Sequence, residues 1–174
     1  FPTDAKLAKQ VIDRCITLAK SEQVEVRQSY RRVSKQLLRD CHNSNHPRRR
    51  GKAKKAQAKL RTIAGRLIRE LYRKLTAEQL RLYSEELGHY EKVINQQRHD
   101  KDKIYSLHKP FTACIAKGKA HQQYEFGNKI GLMVSTGKQM IVTAIDAFTG
   151  NPYDGNTIEP LLTQSRRLHE HVPS

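Results

Sequence analysis

Apolar residues return at helical spacing through the first half of this chain and at alternate positions through much of the second. Thr3 before Asp4 reads as an N-cap with an acid in the first turn, and Leu7, Val11, Cys15 and Leu18 carry that helix to about Ser21. A second helix is predicted from Gln23 to Cys41, with Val26, Tyr30, Val33 and Leu37 along one face. The tract HNSNHPRRRGK, residues 42–52, collects Asn, Ser, Pro and Gly and predicts a loop. Leu60, Ile63, Ala64, Leu67, Ile68, Leu71 and Leu75 stripe a third helix. Thr76 with Gln79 spells a capping box, opening a fourth helix through Leu80, Tyr83, Leu87, Tyr90 and Ile94. Such stripes are core packing between antiparallel helices.

The polar run NQQRHDKDK, residues 95–103, reads as a linker, and beyond it the period falls to two. IYSLH and FTACIA are expected as short strands. In EFGNKIGLMVS, residues 125–135, Phe126, Asn128, Ile130, Leu132 and Val134 face one way, and Glu125, Gly127, Lys129, Gly131 and Met133 the other. QMIVTAIDAF, residues 139–148, should pair with it across a tight STGK turn as an antiparallel hairpin. TGNPYDGN is a loop, and Thr157 to His169 a last amphipathic helix. The expected class is α+β: a basic helical region over 1–103, then an antiparallel hairpin or meander and a helix over 104–174.

A chain of 174 residues fits one domain, or one with an appendage. Hydrophobic content is 37% with no tryptophan, so the core is modest. No run of about 18 apolar residues is present to span a membrane. The start, FPTDAKLAKQ, has no signal-peptide pattern and no initiator Met, which reads as a processed or cut chain. Cys15, Cys41 and Cys114 are odd in number and far apart, which fits a reducing, cytoplasmic setting with each thiol as a small buried apolar group.

Charge sharpens the picture. Residues 27–74 hold 17 Lys and Arg against two acids, a local excess of +15 within a chain total of +16. A polyanion partner, a nucleic acid, follows from counterion release on phosphate neutralisation. The candidate contacts are Arg48, Arg49, Arg50, Lys52, Lys54 and Lys55, assisted by Arg31, Arg32, Lys35 and Arg39. A solvated helical face that binds nothing is the bland alternative, and the density of charge weighs against it.

Catalytic and metal chemistry finds little support. Cys41, His42 and His46 lack zinc-site spacing, so the histidines read as extra polar groups of a basic loop. Asp146 and Asp154 could be taken for Mg²⁺ ligands, but Asp154 sits in Asn-Pro-Tyr-Asp-Gly, where an Asp caps a turn or a helix. Asp100 and Asp102 flank Lys101 as solvated linker acids. No Ser-His-Asp arrangement, P-loop or dinucleotide fingerprint occurs. No catalytic or metal-binding residue is assigned.

Two strings carry a resemblance: KIYSLHKPFTACIAKGKAHQQYEFGNKIGLMVS, residues 103–135, and GNPYDGNTIEPLL, residues 150–162. With FPTDAKL at the start, they resemble insertion-sequence transposases of the DDE class, over essentially the whole chain. The resemblance implies a ribonuclease-H-like core, three acids holding two Mg²⁺ ions in the intact family, and DNA cleavage with strand transfer. It also implies a first catalytic Asp just before the Phe-Pro-Thr-Asp string, a second in an Asp-x-Gly-Tyr motif after the last helix, and a Glu later still. Residues 1–174 contain none of these, so the expectation is an interior fragment that binds DNA, is inactive alone and leaves a homo-oligomer open. Lys117, Lys119 and His121 would sit where DNA approaches the sheet, with Gly127 and Gly131 permitting close packing on it. A basic turn with Gly118 at positive φ is the alternative for that stretch. A stand-alone basic helical binder without catalysis is the second reading of the whole, and the hairpin with its flanking strings separates the two.

Overall fold

The computed structural model describes residues 2–169 apart from 98, 119, 120 and 122, with the backbone alone at 169. The chain is mixed α and β and divides into two compact units, Phe1–Pro110 and Phe111–Ser174. No described helix is long and apolar enough to cross a membrane.

The first unit is helical: α1 (Asp4–Ser21), α2 (Arg31–Asp40), α3 (Pro47–Lys74) and α4 (Ala77–Asn95). Thr3 caps α1 by accepting the Lys6 N–H, and Asp4 complements the helix dipole. Thr76 and Gln79 form the full capping box of α4, each side chain bonded to the other's backbone. The central helix is α3, which packs against α1, α2 and α4. Its Leu60, Ile63, Ala64, Leu67, Ile68 and Leu71 are buried among Leu7, Val11, Ile12 and Cys15 of α1 and Leu87, Tyr90 and Val93 of α4. Burying each large aliphatic chain here contributes about 1.5–3 kcal/mol before chain entropy is set against it.

Three elements of this unit differ from expectation. The second helix begins at Arg31, not Gln23, because Gln23 and Tyr30 adopt left-handed backbone, φ 56° and 54°, that no right-handed helix accommodates. Side chains of α3 hold the intervening segment: the Glu70 carboxylate accepts the Arg27 N–H at 2.8 Å, and the Lys74 ammonium donates to the Glu25 carbonyl. The buried face of α2 is accordingly Ser34 and Leu37, with Val33 exposed. The loop expected over 42–52 is only a turn at 41–46, because Pro47 serves as the first residue of α3, where its missing N–H costs nothing. IYSLH is not a strand: Ile104 is buried in the helical core and Leu107 packs against it.

In the second unit, β1 (Ala113–Ala116) pairs antiparallel with β2 (Tyr124–Gly127), and β3 (Lys129–Val134) with β4 (Val142–Phe148). EFGNKIGLMVS is therefore two strands in two sheets, divided at Asn128. β4 starts at Val142, because Ser135 ties off the loop: its N–H donates to the Ile141 carbonyl at 2.9 Å and its Oγ accepts the Ile141 N–H at 3.0 Å. After a 3-10 turn at Asp154–Thr157, α5 (Ile158–His169) packs on β3 and β4. Gly131, Met133 and Ala144 lie on the covered side, while Ile130, Leu132, Val134 and Ile145 are exposed. Of the expected close-packing pair, Gly131 does meet α5, through Leu161; a side chain at Gly127 would meet open space. The cysteines are free, but only Cys15 is fully buried; Cys41 is half-buried and Cys114 exposed.

Candidate nucleic-acid interface

On α3 the buried positions 53, 56, 60, 63 and 67 form one stripe, and the cations flank it on both sides. Arg48, Lys52, Lys55 and Lys59 recur at three- and four-residue spacing along one flank, and Arg50 and Lys54 lie on the other. All of these, with Arg49, are exposed. On α2, Arg31, Lys35 and Arg39 repeat every four residues away from buried Ser34 and Leu37, and Arg32 is exposed beside them. One compact unit thus gathers all ten of the helical cations named from the sequence.

Among the described residues, the α3 cations paired with carboxylates are Lys52 with Asp40 at 2.9 Å, Arg61 with Asp4 at 3.8 Å and Lys74 with Glu70 at 3.0 Å. Arg48, Arg49, Arg50, Lys54 and Lys55 have no such partner there. The hydrogen bond from Lys52 holds the Asp40 carboxyl below its usual range.

The two basic helices start in an unusual way. Neither α2 nor α3 has a side-chain cap or an acid in its first turn; each opens on arginines, Arg31–Arg32 and Arg48–Arg50. A helix start is the positive end of the backbone dipole and favours acids, so each cation there costs up to about 1 kcal/mol. Helices α1 and α4 follow the ordinary rule, with Thr caps and Asp4 or Glu78.

The second unit holds the remaining candidates. Lys117 follows β1 and is exposed, with its ammonium 3.3 Å from Glu125; His121 is also exposed. Gly118 takes φ 64°, as a basic turn at this point requires. Lys119 lies outside the described residues.

Asp146 and Asp154, the acids weighed as Mg²⁺ ligands, have other partners. Asp146 accepts the N–H of Ala147 at 2.8 Å. Asp154 forms an ion pair with Lys129, which donates to it and holds its carboxyl below the usual range. Asp154 stands in the first turn of the 3-10 segment, whose N-cap position, Tyr153, makes no side-chain cap bond. Among the described residues no three His, Cys, Asp or Glu side chains group as metal ligands. His42 instead lies in the 41–46 turn, 3.0 Å from the Asn43 side-chain oxygen.

Lys6 is not singled out by charge counting, because residues 1–26 balance; it lines one cleft with Arg39, Arg50 and Lys54. Its local signal is Thr3-Asp4-Ala5-Lys6, where a cation stands in the place a capping box gives to Glu or Gln. No family model, curated protein or solved structure matches this chain.

Proposed function

We propose that this chain is a DNA-binding part of a DDE-class transposase, acting in the cytoplasm, with its second unit derived from a ribonuclease-H-like core. The observation that carries the DNA reading is the opening of both α2 and α3 on exposed, uncapped arginines. In the free protein the helix dipole opposes these charges, and a bound phosphate reverses the sign of that term. Local helix rules broken twice in one unit, at its most basic segment, mark a functional surface. The transposase part of the reading rests on the strings at 1–7, 103–135 and 150–162. An antiparallel hairpin with a helix across one face is a layer arrangement compatible with such a core.

The test is a salt titration of duplex binding. With about six phosphates contacted, log K falls against log salt with a slope near −5. Replacing Arg48, Arg49, Arg50, Lys52, Lys54 and Lys55 with Ser should at least halve that slope. An unchanged slope would remove the start of α3 from the interface, and no duplex binding at low salt would end the DNA reading.

A further inference from the structure

The start of α1, the end of α2 and the start of α3 enclose an open cleft of about 1060 Å³. Lys6, Arg39, Arg50 and Lys54 supply four cations to its lining, and Ala5, Leu38 and Ala53 supply apolar surface. The turn that closes the cleft contributes Asn43, Ser44 and Asn45, all exposed hydrogen-bonding side chains. The carboxylate in the lining, Asp4, already faces Lys103 at 3.4 Å and Arg61 at 3.8 Å, so its charge is offset.

We propose that this cleft holds an unpaired DNA strand by its phosphodiesters, beside a duplex lying along the flank of α3 that carries Arg48, Lys52, Lys55 and Lys59. The proposal rests on the DNA reading and adds to it the class of strand and the place it enters. Volume argues against a duplex: small-molecule sites run to about 1,000 Å³, so this one takes a few nucleotides of a single strand. The chemistry suits that strand, with apolar surface for sugar and base, cations for phosphate and amides for base edges. The lining holds no Phe, Tyr or Trp, and His42 is the one ring in it, so binding is mainly electrostatic.

Lys6 adds an independent observation. It occupies the third position of α1 after a Thr cap, where Gln79 completes the box in α4. There a cation opposes the helix dipole and forgoes the reciprocal cap bond, a local cost that an anion in the cleft offsets.

The experiment compares a blunt duplex with the same duplex bearing a short thymidine overhang, by fluorescence anisotropy on the full chain. The overhang should tighten binding about tenfold, the worth of one or two extra phosphate contacts. Lys6→Glu should abolish that preference and leave blunt-duplex affinity within about twofold, the size of a long-range charge effect. The same change completes a Thr-x-x-Glu capping box, so the fold is not put at risk. Lys6→Arg should keep the preference, as should Lys20→Glu, which reverses an exposed charge at the far end of α1. Equal binding of the two duplexes, or a preference that survives Lys6→Glu, overturns the cleft proposal while leaving duplex binding intact. Loss of all duplex binding by the unaltered chain would instead sink the DNA reading beneath it.

Discussion

The side-chain amide of Gln96 clasps the backbone of Ile104 from both sides, donating to its carbonyl at 3.1 Å and accepting its N–H at 2.9 Å. Both residues are buried, and the clasp pins the polar turn between them onto the helical unit. Replacing Gln96 with Ala leaves a buried donor and a buried acceptor without partners, at a cost of about 1–3 kcal/mol. Gln97→Ala, one position along and exposed, should change stability by no more than about 0.5 kcal/mol. Urea titration of the two variants checks this, and equal losses would show that the clasp contributes nothing.

Glu70 makes the first unit acid-sensitive. Its carboxyl is held below the ordinary value of 4.5, first by the Arg27 N–H and then by the Lys74 hydrogen bond and nearby charges. A carboxyl depressed in the folded state stabilises it fully above pH 4.5, and the benefit is lost as pH falls through the folded value. The segment at 22–30, held by Glu70 and Lys74, should therefore loosen first on acidification. Glu70→Gln keeps an acceptor but removes the titration, so its stability should vary less with pH below 4.5 than that of the unaltered chain. Parallel pH profiles would count against this.

Where sequence and fold agree or part follows from how local each cause is. The caps at Thr3 and Thr76 and the stripe of α3 depend on residues three or four apart, and all were legible. The backbone at 22–30 depends on Glu70 and Lys74, more than forty positions away, which no local period encodes. Gln96 looks like linker because its polarity is visible and its partner Ile104 is not. Pro47 carries two opposite meanings, break or first helical residue, and the packing of α3 chooses the second. For the proposed interface, the excess of +15 is legible in the sequence, but the convergence of Lys6 with Arg39, Arg50 and Lys54 needed the helices in place.

Gly131 is tied to Leu161 by space. A methyl at Gly131 would come within 2.7 Å of Leu161 Cδ1 and 3.0 Å of Phe148 Cε2, so something must move. Gly131→Ala should cost about 1–3 kcal/mol from overpacking. Leu161→Ala, which empties a buried site, should cost about 2–5 kcal/mol. In the double variant the new methyl enters the space that Leu161 vacates, so the loss should fall short of the sum by at least about 0.5 kcal/mol. Thermal unfolding of the three variants closes the cycle, and strict additivity would refute the contact.

The three thiols should separate by reactivity. Cys114 is exposed and should react first with a thiol reagent, with half-buried Cys41 following, since burial raises its thiol above the ordinary range. Cys15 lies at the centre of the helical core, and burial, with Glu86 nearby, pushes its thiol up to about 12. Two barriers then act together at pH 8. The thiolate fraction of Cys15 in the folded state is smaller by roughly a thousandfold than that of an ordinary thiol, and reagent reaches the sulfur only when the core opens. Opening a stable domain carries an equilibrium penalty of roughly a thousandfold or more, so Cys15 should stay unlabelled while the other two react to completion. Adding denaturant through the unfolding midpoint should release it in step with the loss of helical signal. Mass spectrometry of tryptic fragments reads each site separately. Labelling of Cys15 at a rate near that of Cys114 in the absence of denaturant would mean that α1 does not pack on α3 as described.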